Sequence, residues 1–237
     1  MGEADAIELD GAGYAVESRE ILAPLTLCLV ERRIGIVGRN GSGKSTLARL
    51  MAGLIAPTCG SVQVNGEDIY ADRAAALREV GILFQNPDHQ IIFPTCGEEV
   101  AFGLAQMGVS DPKGAARAAL AEHGKAHWEG RPVGELSGGQ RHLLCLIAVL
   151  AMAPKRLLLD EPFAGLDIPT VRALHREIAR LKQQVVLITH DPAALAGFDR
   201  VIWLEAGGIR ADGPAAQVLA EFTTAMEGED AGTDLAG

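Results

Sequence analysis

The feature that most constrains this chain is a glycine-rich segment at residues 38–45, which has the sequence GRNGSGKS. It lies between an apolar run at residues 33–37 and a run with a helical pattern at residues 46–51. A strand, a glycine loop and a helix in that order are the setting in which the pattern GxxxxGK[ST] predicts a phosphate-binding loop. The alternative, a chance glycine turn, is disfavoured because every fixed position of the pattern is filled.

The physical reason for this pattern lies in its glycines and its lysine. Glycines let several backbone N–H groups curl around one anion, and the following helix directs the positive end of its dipole to the same place. Lys44 is predicted to contact the β- and γ-phosphates of a nucleoside triphosphate, and Ser45 to offer its hydroxyl to Mg²⁺. The predicted nucleotide-binding residues here are Gly38, Asn40, Gly41, Gly43, Lys44, Ser45 and Thr46.

The charge of the chain excludes some classes of partner. The 237 residues carry a net charge of −10 and no cluster of Lys or Arg. A nucleic-acid-binding protein needs a basic surface, so nucleic acid is not expected as a partner. No apolar run reaches 18 residues, so no membrane-spanning helix is predicted. The four separated cysteines are predicted to be buried free thiols.

Strand and helix patterns alternate along most of the chain, which predicts an α/β fold. Residues 86–153 interrupt this alternation with helical patterns that begin near Thr95, Asp111 and Ser137, residue types that cap helices. We therefore expect one domain at residues 1–222 with a helical subdomain inserted at about 86–153. Residues 223–237 are rich in glycine and acids, and are expected to form a disordered tail.

Two acids end an apolar strand pattern at residues 156–161, RLLLDE. A carboxylate at a strand end beside a phosphate loop can hold Mg²⁺, which is the role predicted for Asp160. The next carboxylate, Glu161, is then placed to polarise an attacking water. On its own, such a run is as often a plain strand end, and the phosphate loop earlier in the chain favours the catalytic interpretation.

A second glycine motif occurs at residues 136–140, LSGGQ. A serine at a helix start followed by two glycines presents a hydroxyl and backbone N–H groups to an anion. An ordinary capped helix is the alternative. The predicted nucleotide-contacting residues are Ser137, Gly138, Gly139 and Gln140.

The order of these motifs resembles that of the ATPases of ABC transporters. The phosphate loop is followed by Gln85 after a strand, by LSGGQ, by the acid pair and by His190 at a strand end. The resemblance covers residues 7–222 and implies a P-loop NTPase (ABC ATPase) core with a mixed sheet and an inserted α-helical subdomain. It further implies ATP and Mg²⁺ as cofactors and hydrolysis of ATP as the reaction.

The resemblance also implies roles for single residues. Tyr14 looks like the aromatic residue that stacks on adenine, although a plain strand aromatic fits its spacing equally well. Gln85 looks like the glutamine that senses Mg²⁺ and the membrane partner, so it is predicted to be catalytic and a metal ligand with Ser45 and Asp160. Asp167 sits where the family has a loop that crosses a dimer interface. His190 looks like the histidine that contacts the γ-phosphate.

In this family two ATPase domains pack head to tail. The resemblance therefore implies that ATP binds between the phosphate loop of one copy and residues 137–140 of the other. The second copy would exclude water from the phosphates and strengthen the electrostatic contacts. The partner is expected to be a second copy of this chain or another ABC ATPase.

Residues 84–103 resemble those of ATPases from energy-coupling factor (ECF) importers of vitamins and metals. This implies a transmembrane scaffold subunit, a substrate-binding membrane subunit, and a peripheral position at the cytoplasmic face of the membrane. Residues 86–93 would form the groove for the scaffold's coupling helices, with Glu98 and Glu99 as partners of an arginine. A solvated helix start is the alternative for these two acids.

Two further segments, at residues 32–37 and 197–201, look most like biotin-importer ATPases, with cobalt and nickel importers as the alternative. A different class, an ABC ATPase that acts on nucleic acid, usually carries coiled-coil insertions and basic surfaces, which this sequence lacks. A nucleotide-binding module without turnover would be expected to lack Glu161 or His190.

Overall fold

The computed structural model describes residues 6–230, and the side chains of residues 6–227. Within this range the chain forms two compact units. The first contains the described residues up to Asp68 and from Val186 onward, and the second contains Ile69–Val185. Elements are numbered along the chain as β1–β10 and α1–α7.

The first unit contains an antiparallel sheet with the strand order β2-β1-β4-β5. Its strands are β1 (Ile7–Val16), β2 (Arg19–Leu29), β4 (Cys59–Val64) and β5 (Glu67–Asp68). Alternate side chains of β2 are buried, as the period of a half-exposed strand requires. The β1–β2 register shifts between Leu9 and Ala12, so β1 has a bulge at this point.

The same unit contains strands with the order β10-β9-β3-β8. They are β3 (Arg33–Val37), β8 (Gln184–Thr189, which belongs to this unit from Val186 onward), β9 (Arg200–Glu205) and β10 (Gly208–Pro214). The pair β3–β9 is parallel and the pair β9–β10 is antiparallel, so the sheet is mixed. Helix α1 (Lys44–Met51) follows β3 after a six-residue loop.

Helix α7 (Ala215–Asp230) ends the described chain. Phe222 on this helix packs edge-on against Trp203, with ring centroids 5.2 Å apart. The sequence predicted that disorder begins at residue 223, but the helix continues to Asp230. Phe222 and Trp203 anchor its middle, and helix formation adds one hydrogen bond for each residue beyond that anchor. The rest of the predicted tail, residues 231–237, lies outside the described residues.

The second unit combines two parallel strands with five α-helices. Strand β6 (Val80–Leu83) pairs with β7 (Arg156–Asp160) from Val80 opposite Arg156 to Leu83 opposite Leu159. Between these strands the chain forms three α-helices and three single-turn 3-10 helices. The helices of this unit are α2 (Arg73–Glu79), α3 (Cys96–Gln106), α4 (Pro112–Glu122), α5 (Gly138–Ala151) and α6 (Ile168–Arg180).

Helices α3, α4 and α5 share one apolar core. Leu120, Leu144 and Ile147 are fully buried there, and each such side chain contributes about 1.5–3 kcal/mol through its removal from water. Three side-chain caps define where the helices begin, because each accepts a hydrogen bond from a backbone N–H of the first turn. The caps are Thr95, Asp111 and Ser137.

The four cysteines do not share one environment. Cys96 and Cys145 are buried, and burial raises the pKa of the Cys145 thiol to about 12. Cys28 and Cys59 are exposed free thiols on β2 and β4, so the prediction that all four are buried was wrong for these two. Both lie on the solvent side of strands whose alternate residues are buried.

Candidate functional site

The predicted phosphate loop lies in the first unit, between the buried strand β3 and helix α1. Gly38 and Gly43 are its two most constrained positions, with φ angles of +158° and +97°. A Cβ on Gly38 would lie 2.2 Å from the carbonyl oxygen of Leu204, and one on Gly43 would lie 2.6 Å from the side chain of Leu22. Only glycine fits both positions, because backbone or buried side chains occupy the space.

Lys44 begins helix α1 and its side chain folds back over the loop. Its Nζ donates hydrogen bonds to the carbonyl oxygens of Gly38 at 2.7 Å and Arg39 at 2.9 Å. The side chain is only 6% exposed. Buried charges need partners, so these carbonyl groups stabilise the ammonium where the loop curls.

The loop has the features of a site for an anionic phosphate group. Helix α1 has Gly43 at its N-cap, and no side chain among the described residues caps it, which leaves its first N–H groups pointing into the loop. Ser42 is 5% exposed, and its hydroxyl has no hydrogen-bond partner within the described part of the chain. A buried hydroxyl, uncapped N–H groups and an ammonium together are suited to phosphate oxygens.

The positions of the other predicted residues of the first unit are also defined. Tyr14 is half-buried on β1 opposite Leu22, the residue whose side chain lies against Gly43. Strand β1 therefore brings Tyr14 to the neighbourhood of the loop. His190 is exposed and directly follows β8, the neighbour of β3 in the sheet. Asn40 and Gly41 form the exposed tip of the loop, and Ser45 and Thr46 are half-buried in the first turn of α1.

In the second unit, the ends of β6 and β7 bring three predicted residues to one edge. The register places Leu83 opposite Leu159 in a parallel pair. The two strands therefore end side by side, with Gln85 two residues beyond the end of β6 and Glu161 one residue beyond the end of β7. Asp160 and Glu161 are buried, at 4% and 7% exposure, whereas Gln85 is exposed.

Glu161 has a backbone conformation that is rare for a residue with a side chain. Its φ is +48°, in the left-handed region. Such a conformation costs roughly 1–3 kcal/mol and persists only where the surrounding structure enforces it, most often at functional sites. The strained turn after β7 therefore supports the prediction that Glu161 has a functional role.

The second glycine motif begins helix α5 with a capping box. The Ser137 hydroxyl accepts a hydrogen bond from the Gln140 backbone N–H at 3.3 Å, and the Gln140 side chain accepts one from the Ser137 N–H at 3.0 Å. The ordinary capped helix and the anion-binding surface are thus both compatible with these residues. Ser137 and Gly138 are exposed, so the helix N-terminus is open to a ligand or a partner.

Asp167 caps helix α6 in the second unit. Its carboxylate accepts a hydrogen bond from the Thr170 N–H at 2.8 Å. Hydrogen bonds from the Thr170 side chain and backbone hold the pKa of Asp167 below its ordinary value. Asp167 and Ile168 are exposed, the latter at 68%, so this turn projects from the unit.

His142 and Thr170 are candidates that the sequence analysis missed. His142 is 3% exposed on α5, and burial lowers its pKa, while the backbone of Gln85 and of Gly138 opposes that shift. No ring nitrogen of His142 makes a hydrogen bond of ordinary geometry within residues 6–230. The position of His142 two residues after LSGGQ could have indicated it. Nothing in the sequence singles out Thr170.

One expectation about the membrane partner was wrong. Glu99 is 6% exposed, and its carboxylate accepts hydrogen bonds from the N–H groups of Ile92 and Phe93, each at 2.9 Å. It therefore holds the preceding loop in place and is not available to an arginine of another protein. Glu98 is exposed, and its carboxylate accepts a hydrogen bond from the Thr95 hydroxyl at 2.7 Å.

The features of the first and second units together define a class of protein. A glycine loop that leads into an uncapped helix, acids at a parallel strand end and a second glycine-rich helix start are the parts of a nucleotide-hydrolysing P-loop ATPase. The family described as ABC transporter matches residues 25–164, more than half of the 237 residues. The chain belongs to this family, and the predicted class, fold and ATPase activity are confirmed.

Two relatives and one solved structure show which proteins of this family the chain is similar to. The chain is 55% identical to the biotin transport ATP-binding protein BioM of Rhodobacter capsulatus, over 93% of this chain and 92% of that protein. It is 40% identical to the nickel import ATP-binding protein NikO of the same organism, with 91% of each covered. The structure of cbiO1 from Clostridium perfringens, part of the ABC transporter complex cbiONQ, has a TM-score of 0.75 at 27% identity, covering 91% of this chain and 90% of that one.

These findings confirm the resemblance to biotin-importer ATPases, and they confirm that ATP is the nucleotide of the family. In the part of the chain that the structure describes, no helix is long and apolar enough to cross a membrane. The roles assigned to single residues remain predictions.

Proposed function

We propose that this chain is the ATP-hydrolysing motor of an ECF-type importer that takes up biotin. The observation that carries the proposal is the 55% identity to a biotin transport ATP-binding protein over nearly the full length of both chains. The energy of ATP would be used to close two ATPase subunits on each other at the cytoplasmic face of the membrane. Membrane subunits would then move the vitamin.

In the first unit the phosphate loop would bind the triphosphate. Lys44 would exchange the carbonyl oxygens of Gly38 and Arg39 for oxygens of the β- and γ-phosphates. The uncapped N–H groups of α1 and the Ser42 hydroxyl would complete the contacts. Tyr14 would stack on the adenine, and His190 would contact the γ-phosphate.

The hydrolytic step would depend on the acids after β7. Glu161 would accept a proton from the water that attacks the γ-phosphate, and its enforced backbone conformation fixes the direction of its side chain. Ser45, Gln85 and Asp160 would hold Mg²⁺, which would neutralise charge on the phosphate oxygens. The oxygen donors of these three side chains suit this hard cation.

The exposed start of α5 would meet ATP bound to a second copy of the chain. Residues 137–140 of one copy and the phosphate loop of the other would then enclose the triphosphate. Ser137 and Gly138 are exposed, as such a contact requires. Excluding water from the phosphates would strengthen the surrounding hydrogen bonds. Asp167, also exposed, would lie at the same interface.

A groove in the second unit supports the proposal of a membrane partner, and of the predicted groove segment 86–93 only Phe93 is in its lining. It has a volume of about 420 Å³, and Phe93 and Phe102 lie together on its wall with ring centroids 5.0 Å apart. Phe102 is 38% exposed, so part of this apolar wall faces solvent. Glu98, Lys113, Arg117 and Glu129 supply charges around the groove. We propose that a coupling helix of the scaffold subunit binds here.

Nickel or cobalt uptake is the second candidate. It is favoured by the 40% identity to a nickel import ATP-binding protein and by the likeness to cbiO1. In either case the cargo would be chosen by a separate membrane subunit, so the two candidates share one ATPase mechanism.

The test is to purify the chain in mild detergent with the membrane proteins that accompany it, and to reconstitute the complex in vesicles. We expect ATP-dependent uptake of radiolabelled biotin. Uptake of labelled nickel or cobalt instead would show that the cargo is a metal ion, and the proposal that the chain is the ATPase motor would stand. ATP-independent uptake, or no copurifying membrane protein, would contradict the proposal.

The groove is tested in the same system with Phe102→Asp, which would place a charge on its apolar wall. We expect loss of copurification and unchanged ATP binding. Val16→Asp is the matched control, because Val16 is 50% exposed on β1 in the first unit. Equal recovery of membrane subunits with both variants would remove the groove from its proposed role.

A further inference from the structure

We infer that Thr170 is a positioning residue that links the turn at Asp167 to Gly139, so that the start of helix α5 follows the position of the turn before helix α6. This inference rests on the proposed function, in which both segments meet a second copy of the chain. Thr170 itself would touch neither the nucleotide nor the water.

The first link runs from Asp167 to Thr170. The Asp167 carboxylate accepts the Thr170 N–H at 2.8 Å and is also hydrogen-bonded by the Thr170 side chain. Two hydrogen bonds to one short side chain fix both its place and its rotamer, since threonine is already stiff at χ1. A movement of Asp167 is therefore passed to the side chain of Thr170.

The second link runs from Thr170 to Gly139. A Cβ on Gly139 would lie 2.7 Å from the Thr170 methyl carbon and 3.1 Å from its hydroxyl oxygen. The first distance is well below van der Waals contact, so the threonine occupies the space that a side chain at 139 would need. Rotation of χ1 would exchange the methyl group for the hydroxyl and would break the side-chain hydrogen bond to Asp167.

The contact between Thr170 and Gly139 lies beside a cavity between helices α5 and α6. A cavity of about 380 Å³ is lined by residues of both helices, including Gly139, Leu143, Thr170 and Leu174. Because the facing side chains leave this space open, the helices do not interdigitate closely here. The contact between Thr170 and Gly139 therefore limits how closely the first turns of α5 and α6 approach.

Two conservative variants separate the links. Thr170→Val keeps the branched shape and removes the hydroxyl that bonds Asp167, whereas Thr170→Ser keeps the hydroxyl and removes the methyl group against Gly139. For each we expect unchanged nucleotide affinity of the phosphate loop and a loss in kcat of about tenfold, less than the hundredfold that a misplacement of about 1 Å can cause. Thr223→Val on α7, where Thr223 is exposed, is the matched control.

Rescue is the decisive measurement. Gly139→Ala should lower kcat by about a hundredfold, because its Cβ pushes the start of α5 away from Thr170. The double variant Gly139→Ala with Thr170→Ser should recover at least about tenfold, since residues in contact are coupled. The midpoint of thermal unfolding is measured on the same variants. It should change little for Thr170→Ser and Thr170→Val, whereas a merely structural role would lower it in step with kcat.

The outcomes separate this inference from the proposed function. Two results would overturn the role of Thr170 alone. One is wild-type turnover by the Thr170 variants together with no recovery of kcat when Thr170→Ser is added to Gly139→Ala. The other is equal turnover by Thr170→Val and Thr223→Val. A wild-type chain that neither pairs with ATP nor hydrolyses it would overturn both. Recovery of kcat in the double variant, with the nucleotide affinity of the phosphate loop in the single copy constant throughout, is the result that supports the link.

Discussion

The chain contains two glycine-rich segments at helix N-termini. They differ in whether a side chain caps the first backbone N–H groups of the helix. Helix α1 has Gly43 at its N-cap and no capping side chain within the described residues, so its N–H groups are left for a ligand. Helix α5 has a complete capping box, in which Ser137 and Gln140 satisfy each other. No side chain among the described residues caps the first segment, whereas in the second the N–H groups of Ser137 and Gln140 are already hydrogen-bonded.

This difference explains why one segment can bind nucleotide first. At the phosphate loop, ATP would add a hydrogen bond to the buried Ser42 hydroxyl, which has none within the described residues. At the start of α5, ATP would have to replace hydrogen bonds between Ser137 and Gln140, so the net gain is smaller. We expect the loop to bind ATP in a single copy, and the start of α5 to contribute only when the second copy brings ATP to it.

The largest expected effect separates binding from hydrolysis. Glu161→Gln keeps the size of the side chain and removes the proton acceptor, so kcat should fall by about 10²–10⁴-fold. ATP should still bind to the loop and hold two copies together, which size-exclusion chromatography with Mg-ATP would detect as a dimer. Glu122→Gln, at an exposed position on α4, is the control. Wild-type turnover, or a variant that stays monomeric, would contradict the role of Glu161.

The next effect tests the claim that the loop binds alone. Lys44→Ala removes the buried ammonium, and a hydrogen bond to a charged group contributes about 1.5–3 kcal/mol, so ATP affinity should fall by about ten- to a hundredfold. Isothermal titration calorimetry on the purified chain measures it. Lys182→Ala, at an exposed position, should bind as the wild type does. An unchanged affinity would mean that the loop is not the first binding segment.

A smaller effect tests the capping box itself. Ser137→Ala removes the N-cap of α5, which should lower the free energy of unfolding by about 0.5–2 kcal/mol. ATP affinity of the single copy should not change, because the loop is intact. Urea denaturation and calorimetry measure the two quantities, with Ser110→Ala as the exposed control. A loss of affinity without a loss of stability would reverse the assignment of the two segments.

The smallest effect concerns His142, one turn into α5. Burial lowers the pKa of this histidine, so the unfolded state binds more protons than the folded state below the ordinary value of 6.5. Stability should therefore be fully present above about pH 6.5 and decrease as the pH falls further. His142→Gln should make the urea midpoint less sensitive to pH between 7.5 and 5.5. An equal slope in the exposed variant His127→Gln and in His142→Gln would exclude this contribution.

The parts that were predictable from the sequence are those in which chemistry demands a residue type. Gly38 and Gly43 occupy positions that no other residue fits, so the loop could be recognised from spacing alone. The caps of α3, α4 and α5 were predictable for the same reason, since few side chains reach the first-turn N–H groups.

Other features depend on contacts that spacing does not show. Glu99 was expected to face a partner, but its two hydrogen-bond donors lie six and seven residues upstream in a loop whose path the sequence does not reveal. Helix α7 extends past Phe222 because its middle is anchored on Trp203 in another element. Thr170 matters through Gly139, 31 positions away, and no motif connects them.

The glycine at 138 has a consequence for mutational tolerance. Within residues 6–230, nothing lies within 4 Å of a Cβ built there, and its φ is not in the left-handed region. The single chain would therefore accept alanine at this position, whereas it would reject alanine at Gly38. In a saturation mutagenesis screen, some variants at Gly138 could fold normally and still not function in the cell. Such variants would show that the requirement for glycine at this position comes from contact with a second molecule.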